Sequence, residues 1–348
     1  MDSGIDELIL AVDFGGTQLR VALVNHSGQI LAREALRTDI SGGPDAVIAQ
    51  IAELSQRLLS ARPKSKITCA GISSPGPLDA KRGRTFNLVL LPGYDGYPIA
   101  ERAQERLGVP VVLEHDGHAA VYGEWKNGAG RGFDDLIYLT ISTGLGGGAI
   151  VNGQLLRGAG GMAAHVGHMT VDPDGPLCGC GNRGCWELFA SGTSFLARAR
   201  ERAKAKNVLI LGRQADAIET VDIFDAARAG DSFAQALVEE EAEWLGRGIV
   251  SLSHIFNPSR FVLGGGVSNN LDLLLPGITK QTERHAMKPF QSFSVVKVEL
   301  GDNAGLVGVA FLAAESSHRK AGLENEGTAH DGSLHISDYF IWASKPCR

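Results

Sequence analysis

Residues 168–185 read HMTVDPDGPLCGCGNRGC, and four of their side chains can bind a metal ion. These four are His168, Cys178, Cys180 and Cys185. Three thiolates and one imidazole at this spacing can surround one tetrahedral Zn²⁺, and the glycines between them let the backbone turn sharply. Because four protein ligands leave no open position, the stretch predicts a structural zinc that holds a loop in place.

The alternative interpretation of this stretch is a cysteine-rich turn with free thiols or a disulfide. Three of the five cysteines of the chain lie within residues 178–185. Cys178 and Cys180 are separated by a single residue, which is poor geometry for a bridge between them. The residue types and their spacing together favour zinc.

The composition is typical of a globular protein in a reducing compartment. The 348 residues are enough for two domains, with 44% hydrophobic and 21% charged residues. No apolar run approaches the ~20 residues that span a bilayer, and the acidic N-terminus does not resemble a signal peptide. The net charge of −6 argues against sequence-independent nucleic-acid binding. We therefore expect a cytoplasmic protein with neither a nucleic-acid nor a membrane partner.

Three glycine-rich turns follow apolar runs that are typical of strands. Residues 13–17 read DFGGT, residues 142–148 read STGLGGG, and residues 264–268 read GGGVS. Apolar runs flank the first two on both sides, as in hairpins whose tips expose backbone N–H groups to phosphate oxygens. Asp13 beside the first turn can hold a metal ion directly or through water. One such turn is weak evidence, but the pair indicates an internal duplication and a nucleotide site.

Asp116 lies in the sequence EHDGH, residues 114–118, directly after the apolar run Val109–Leu113. Ligand sites of α/β proteins cluster at the C-terminal ends of strands, where an Asp before a helix is well placed as a general base. The same side chain could simply cap the helix. The stretch alone leaves both interpretations open. His118, one helical turn from His115, could add to a histidine cluster, although an ordinary helix-start residue is the simpler interpretation.

Two other polar residues stand out along the chain. Asn87 lies in a loop and offers a donor and an acceptor to hydroxyl groups, although an ordinary turn residue is the simpler interpretation. Glu187 follows Cys185, the last cysteine of the cluster, by two residues and so has a rigid position.

We expect residues 315–348 to form a loosely ordered polar tail, with a short element at most over residues 336–342. Helices are predicted at residues 43–62, 99–107, 119–125, 187–206, 223–229, 233–256 and 304–314.

The order of these motifs resembles the ROK family (repressors, ORFs and kinases) of sugar kinases, which includes bacterial glucokinases. The resemblance spans about Leu8 to Ala314, and the cysteine-histidine motif is its most specific mark. The motifs are DFGGT, SPGPL at 74–78, E-x-D at 114–116, STGLGGG, GH-x9-C-x-C-G-x2-G-C at 167–185 and GGGVS.

The resemblance implies an actin-like ATPase (ribonuclease H-like) fold, in which two α/β domains close over ATP and a sugar. We place the smaller N-terminal domain at residues 1–120 and the larger C-terminal domain at residues 121–314. The implied cofactors are ATP with Mg²⁺ and a structural Zn²⁺. The resemblance also implies a homodimer.

The family's site residues carry over to matching positions of this sequence. Asp116 matches the catalytic base, which would accept the proton of a sugar hydroxyl, expected to be O6, as that oxygen attacks the γ-phosphorus of ATP. His168 would bind zinc through one ring nitrogen and the sugar through the other. The sugar-binding positions are Asn87, His115, Asp116, His165, His168 and Glu187. The ATP-binding positions are Asp13, Gly15, Gly16, Thr17, Thr143, Gly144, Gly146, Gly265 and Gly266. The zinc-binding positions are His168, Cys178, Cys180 and Cys185.

The sequence departs from the family pattern at two of these positions. The family usually has Asn before the catalytic Asp and Glu three residues before the zinc-binding His, whereas this chain has His115 and His165. Glu only accepts hydrogen bonds, but a neutral imidazole offers one donor and one acceptor. Since unpaired groups in a sugar pocket discriminate strongly, we expect a sugar altered at C1, C2 or C3, including an amino sugar. The alternative is an ordinary glucokinase that tolerates both substitutions.

A non-catalytic sugar-sensing regulator is the main alternative from another class. The family's repressors carry a DNA-binding helix-turn-helix before the first hairpin, and this sequence leaves no room for one before Leu8. The retained Asp116 and the three glycine turns favour a kinase. An unrelated metalloprotein does not account for the spaced turns. Polyphosphate is an alternative phosphoryl donor, although no basic track suited to a polyanion stands out.

Overall fold

The computed structural model describes residues 5–86 and 93–327. Its strands, in chain order, are β1 (Asp6–Phe14), β2 (Gln18–Val24), β3 (Ile30–Arg37), β4 (Ser65–Ser74), β5 (Leu78–Asp79), β6 (Arg84–Thr85), β7 (Val111–His115), β8 (Leu136–Ile141), β9 (Leu145–Val151), β10 (Gln154–Leu155), β11 (Arg260–Gly264) and β12 (Ser294–Lys297). Its helices are α1 (Gly43–Ser60), α2 (Ile99–Leu107), α3 (Asp116–Asn127), α4 (Glu187–Ala190), α5 (Gly192–Lys206), α6 (Thr220–Arg228), α7 (Ser232–Phe256), α8 (Leu271–His285) and α9 (Ala304–Gly327).

Two five-stranded mixed sheets repeat one topology. The first has the order β3-β2-β1-β4-β7 and the second has the order β10-β9-β8-β11-β12. In each sheet an antiparallel three-strand meander is extended by two strands that run parallel to its first strand. The repeat confirms the predicted internal duplication. It also places the first two glycine turns at equivalent hairpin tips, β1–β2 and β8–β9.

Strand β3 was not predicted, because its sequence ILAREALR carries little apolar periodicity. It is the edge strand of the first sheet, and charged side chains such as Arg33 face solvent. Charged edge strands are common because they discourage pairing between molecules. By contrast, β1 lies inside the sheet, and its residues Leu8–Val12 are at most 2% exposed. That burial accounts for its continuous apolar run.

Helices α3 and α9 pack against each other and contact both sheets. Ala119 and Leu306 belong to a core cluster with β1 and β4, whereas Val121 and Leu312 pack with residues of β8 and β11. A Cβ on Gly308 would overlap the Ala119 carbonyl oxygen, so the crossing of the two helices requires glycine there. Helix α9 belongs to the predicted C-terminal domain but packs against the first sheet. The division of the chain at residue 120 stays a prediction.

The prediction of a loosely ordered tail from residue 315 is wrong for residues 315–327, which continue helix α9. Glu315 anchors this extension, since it accepts a hydrogen bond from Tyr122 Oη at 2.6 Å and pairs with Lys126 at 3.5 Å. It also pairs with Arg319 one helical turn away at 3.6 Å. Residues 328–348 lie outside the described residues. None of the helices that the structure describes is long and apolar enough to cross a membrane.

Candidate active site and metal site

The four predicted metal ligands come together. The ligand atoms of His168, Cys178, Cys180 and Cys185 all lie within 4.8 Å of one another. Isolated bridges between Thr170 and Cys185 and between Leu177 and Arg183 fold the segment back on itself. At this fold a Cβ on Gly184 would overlap the Asp172 carbonyl oxygen. The three cysteines of the cluster are free thiols, so the disulfide alternative is not what the structure shows.

The metal cluster is anchored to the helical layer through Trp186. The indole is fully buried, and its Nε1 donates a hydrogen bond to the Trp244 carbonyl at 2.8 Å. A Cβ on Gly248 of α7 would overlap the indole ring, so the helix approaches Trp186 closely. Glu187 is the next residue, and its Oε1 lies 3.4 Å from His168 Nδ1. The loop that holds the cluster therefore also positions Glu187.

Asp116 lies at the C-terminal end of β7, as the first residue of α3. Its Oδ1 accepts a hydrogen bond from Gly117 N at 2.6 Å. A Cβ on Gly117 would overlap the Gly147 carbonyl oxygen, so the start of α3 packs directly on the second hairpin. The side chain is 49% exposed, and it lines a cleft. Desolvation by the cleft walls raises the pKa of Asp116.

This cleft has a volume of about 540 Å³, and Asp116 lines it together with part of the predicted ATP-binding set. Desolvation also raises the pKa of Asp13, which faces the same space, although the Arg20 guanidinium opposes that effect. Of the predicted ATP-binding residues, Asp13, Gly265 and Gly266 line the cleft. Its lining includes Asp13, Arg20, Ser73, Asp116, Tyr138, Ser142, Gly265, Gly266 and Lys297.

A second cleft of about 510 Å³ adjoins the first and shares Ser142 and Gly266 with it. Thr143 lines this second cleft together with Gly192 and Phe224. Gly265 is the first residue after β11, and its φ is 85°. A Cβ on Gly265 would overlap the Ile141 backbone. Only glycine meets both requirements. The third glycine turn therefore lies against the strand that leads into the second.

The remaining predicted ATP-binding residues lie in the two hairpins. Gly15 N donates to Gln18 O at 3.0 Å, and Thr38 Oγ1 donates to Gly15 O at 2.6 Å, which closes the first tip. Thr17 O accepts a hydrogen bond from Thr38 N at 3.1 Å. Gly16 lies at the first tip and Gly144 at the second, whereas Gly146 belongs to β9 and pairs with Thr140 of β8.

His115 and His165, the two departures from the family pattern, lie side by side. Their ring centroids are 4.5 Å apart, and His115 Nε2 lies 3.3 Å from Asp116 Oδ1. A Cβ on Gly76 would lie 3.0 Å from the His115 ring and 3.3 Å from the His165 ring, so the SPGPL segment faces both. His168 continues the row, 6.4 Å from His165 between centroids. The structure thus brings three predicted sugar-binding residues together beside the catalytic candidate.

Both imidazoles are neutral near pH 7. Burial lowers the pKa of His115 and that of His165 to about 4 in each case. His115 Nδ1 and His165 Nε2 are buried and have no hydrogen-bond partner. Buried polar atoms in proteins are nearly always paired, so these two atoms are candidates for contacts with a ligand. Asn87, the remaining predicted sugar-binding residue, lies outside the described residues.

Glu114, His118 and Arg157 form a clamp that was not predicted from the sequence. His118 is 0% exposed, with Nδ1 3.0 Å from Glu114 Oε1 and Nε2 2.9 Å from the Ala163 carbonyl. Arg157 Nε donates to Glu114 Oε2 at 2.8 Å. The clamp ties β7 and α3 to the loop that carries His165. The i, i+4 spacing of Glu114 and His118 was its one signal in the sequence.

The clamp also stabilises an unfavourable backbone conformation. Ala164, between the clamped Ala163 and His165, has φ at 64°. This left-handed conformation costs a non-glycine residue about 1–2 kcal/mol. Interactions on either side must offset that cost, and the His118 contact with the Ala163 carbonyl is one of them.

We expect His118→Asn to lower the free energy of unfolding by about 1–3 kcal/mol, because the buried Glu114 carboxylate loses the imidazole and keeps only Arg157 and the His115 N–H as partners. Urea denaturation measures this change. His285→Asn is the matched control, since His285 is exposed at the end of α8, and its effect should stay within about 0.5 kcal/mol. Equal stability of His118→Asn and the parent protein would contradict the clamp.

Comparison with known proteins identifies the family. A family model described as the ROK family matches residues 9–316. The chain belongs to the ROK family. A glucokinase from Streptomyces coelicolor is 38% identical over 320 residues, covering 88% of this chain and 98% of that protein. An N-acetylmannosamine kinase from Shigella flexneri is 33% identical over 307 residues, covering 88% and 98%.

A solved structure supports the same grouping. The ROK family glucokinase from Streptomyces griseus, crystallised with glucose and AMPPNP, is 38% identical and has a TM-score of 0.75. The match covers 88% of this chain and 99% of that chain. Together with the two mixed sheets, it confirms the predicted α/β fold of actin-like sugar kinases in the ROK family.

Proposed function

We propose that this chain, an ATP-dependent sugar kinase of the ROK family, transfers the γ-phosphoryl group of ATP to O6 of a hexose or amino sugar. The observation that carries the proposal is the position of Asp116. Its desolvated carboxyl group faces one cleft together with Asp13 and the third glycine turn. A raised pKa makes this carboxylate a better proton acceptor than an ordinary Asp. The similarity to glucokinases and an N-acetylmannosamine kinase supports a sugar as the acceptor.

Each part of the cleft has a role in this reaction. Asp116 would accept the O6 proton as that oxygen bonds to phosphorus and the bond to the ADP oxygen breaks. The hairpin tips and Gly265–Gly266 would hold the nucleotide through backbone N–H groups. Asp13 would hold Mg²⁺, which neutralises charge on the phosphates when it is bound. Approach of the cleft walls would exclude water and so limit ATP hydrolysis.

The Cys₃His cluster fits a structural Zn²⁺ by the type, number and convergence of its donors. Nδ1 is the His168 nitrogen that faces the cluster, since it lies 3.8 Å from Cys178 Sγ. Nε2 is then left for a sugar hydroxyl. We propose that the cluster positions His168 and Glu187 as sugar-binding residues. The homodimer and the cytoplasmic location stay predictions.

We further propose that His115 and His165 change the sugar preference relative to glucokinases. Two neutral imidazoles with unpaired buried nitrogens provide a different donor and acceptor pattern from Asn and Glu. A sugar that leaves those nitrogens unpaired is rejected, whereas one that pairs with them is selected. Substituents at C1, C2 or C3 are the expected partners.

A coupled ATP-to-ADP assay across a panel of sugars tests the proposal. The panel contains glucose, mannose, fructose, allose, glucosamine, N-acetylglucosamine, N-acetylmannosamine and 3-amino-3-deoxyglucose. We expect kcat/KM for one altered sugar to exceed that for glucose by about tenfold or more, since one mispaired polar group costs about 1–3 kcal/mol. His165→Glu should shift the ratio toward glucose, whereas the exposed control His285→Asn should not.

The other outcomes have distinct meanings. If glucose is the best substrate of the parent protein, the two imidazoles are tolerated substitutions in a glucokinase. If no sugar on the panel accelerates ADP release, the kinase proposal fails. Sugar binding without turnover would then favour the sugar-sensing regulator.

A further inference from the structure

Arg20 lines the cleft but has no role in the proton transfer or nucleotide binding proposed so far. It lies on β2 directly opposite Asp13, and its Nη1 donates to Asp13 Oδ2 at 3.0 Å. Its Nε donates to Gln18 Oε1 at 2.9 Å. The two side chains of the pair are 24% and 25% exposed, so the guanidinium lies well inside the cleft.

The lining of the cleft carries more acidic than basic side chains. Its lining contains four acidic side chains and, among the described residues, two basic ones, Arg20 and Lys297. Lys297 is exposed, whereas Arg20 contacts the carboxylate that would hold Mg²⁺. A nucleoside triphosphate bound in this cleft adds further negative charge. Phosphoryl transfer therefore requires positive groups aimed at the phosphate oxygens.

A guanidinium can fill this role because it carries five N–H donors. Asp13 and Gln18 each take one donor in the free protein, through Nη1 and Nε. A cation bound at Asp13 would compete with Arg20 for the same carboxylate. Once Arg20 no longer donates to Asp13, the Nη1 and Nη2 groups of its planar guanidinium are free to bind phosphate oxygens.

We infer that Arg20 is a further catalytic residue, which moves from Asp13 to the γ-phosphoryl group when Mg²⁺ and nucleotide bind. There it donates hydrogen bonds to the phosphoryl oxygens while the bond from phosphorus to the ADP oxygen breaks and the bond to the sugar oxygen forms. Arg20 keeps its proton throughout, since the sugar proton passes to Asp116. The inference rests on the proposed kinase function.

Two variants and two readouts test the role of Arg20. Arg20→Gln should lower kcat by about 100- to 1,000-fold with the sugar KM within about threefold, because one transition-state donor is lost. Arg20→Lys should recover part of kcat, since it restores the charge without the fork. Calorimetry with Mg²⁺ should show a preference for AMPPNP over ADP that falls at least tenfold in Arg20→Gln. Arg82→Gln, 80% exposed and outside the cleft, is the control and should match the parent protein.

The outcomes separate this inference from the kinase proposal. If the parent protein turns over a sugar and Arg20→Gln keeps kcat within threefold and the same nucleotide preference, the inference is wrong and the kinase proposal stands. If Arg20→Gln weakens AMPPNP and ADP equally, Arg20 serves only to neutralise Asp13, and the inference is also wrong. If the parent protein turns over no sugar, the kinase proposal fails. The nucleotide preference then still decides whether Arg20 contacts the γ-phosphate.

Discussion

Asp116→Asn should lower kcat for the best sugar by about 10²- to 10⁴-fold, the range that general-base catalysis contributes. The amide cannot accept a proton from the sugar hydroxyl. It is nearly isosteric with the carboxylate, and its oxygen can still accept the hydrogen bond from Gly117 N. We therefore expect the sugar KM to change by less than about threefold. Coupled assays at saturating ATP measure both constants.

The pH dependence gives an independent readout of the same residue. Only the ionised carboxylate accepts a proton, so kcat/KM should fall as pH drops through the pKa of Asp116. Because desolvation raises that pKa above the ordinary value of 3.8, the loss begins at higher pH than for a solvated Asp. Asp116→Asn should lack this limb, and any limb that persists would belong to Asp13, whose pKa is also raised.

Asp216→Asn is the control for an Asp-to-Asn change outside the site, because Asp216 is exposed in a short turn distant in sequence from Asp116. Its kcat and pH profile should match those of the parent protein. An Asp116→Asn variant that keeps more than about a tenth of the parent kcat would contradict the assignment of the base. The helix-start role of Asp116 would then be the better interpretation.

The parts of the site that could be predicted from the sequence are those whose residues are neighbours in the chain. The metal ligands lie within residues 168–185, and each glycine turn occupies a few consecutive residues beside its strand. Short spacing of this kind constrains the geometry directly, so the Cys₃His cluster converges as expected. The internal duplication was also predictable, because the two hairpins share one pattern of strand, turn and strand.

The parts that were missed depend on contacts between distant residues. His118 reaches the carbonyl of Ala163, which is 45 residues away, so its i, i+4 spacing from Glu114 does not by itself distinguish it from an ordinary helix-start residue. The extension of α9 depends on Tyr122 and Glu315, which are 193 residues apart. The neutral state of His115 likewise follows from burial, which lowers its pKa to about 4, and not from its neighbours in the sequence.

Cys180→Ser should lower zinc affinity by about 100-fold or more, since even outer-shell changes at metal sites cost 10- to 100-fold. The serine hydroxyl is a much poorer zinc ligand than a thiolate. Cys180 is the exposed cysteine of the cluster, so the change removes a ligand with little loss of packing. Zinc content after dialysis, measured by atomic emission, should fall from about one ion per chain to near zero.

Loss of the metal should also affect the sugar more than the nucleotide. His168 and Glu187 are expected to depend on the cluster for their positions, whereas none of the residues proposed to hold the nucleotide is a ligand of the cluster. We expect the sugar KM of Cys180→Ser to rise by about tenfold or more, with AMPPNP affinity within about threefold. Cys69→Ser is the matched control, because Cys69 is a buried free cysteine on β4 and is not part of the cluster.

A parent protein prepared with zinc that retains none after dialysis would contradict the metal assignment. A zinc-containing parent whose Cys180→Ser variant loses the ion but keeps its sugar KM would contradict only the coupling of metal to sugar. The coupling is expected because His168 Nδ1 faces the cluster and Glu187 Oε1 lies 3.4 Å from that nitrogen. Once a thiolate ligand is lost, the tether that orients this imidazole is weakened, and the sugar contact through Nε2 weakens with it.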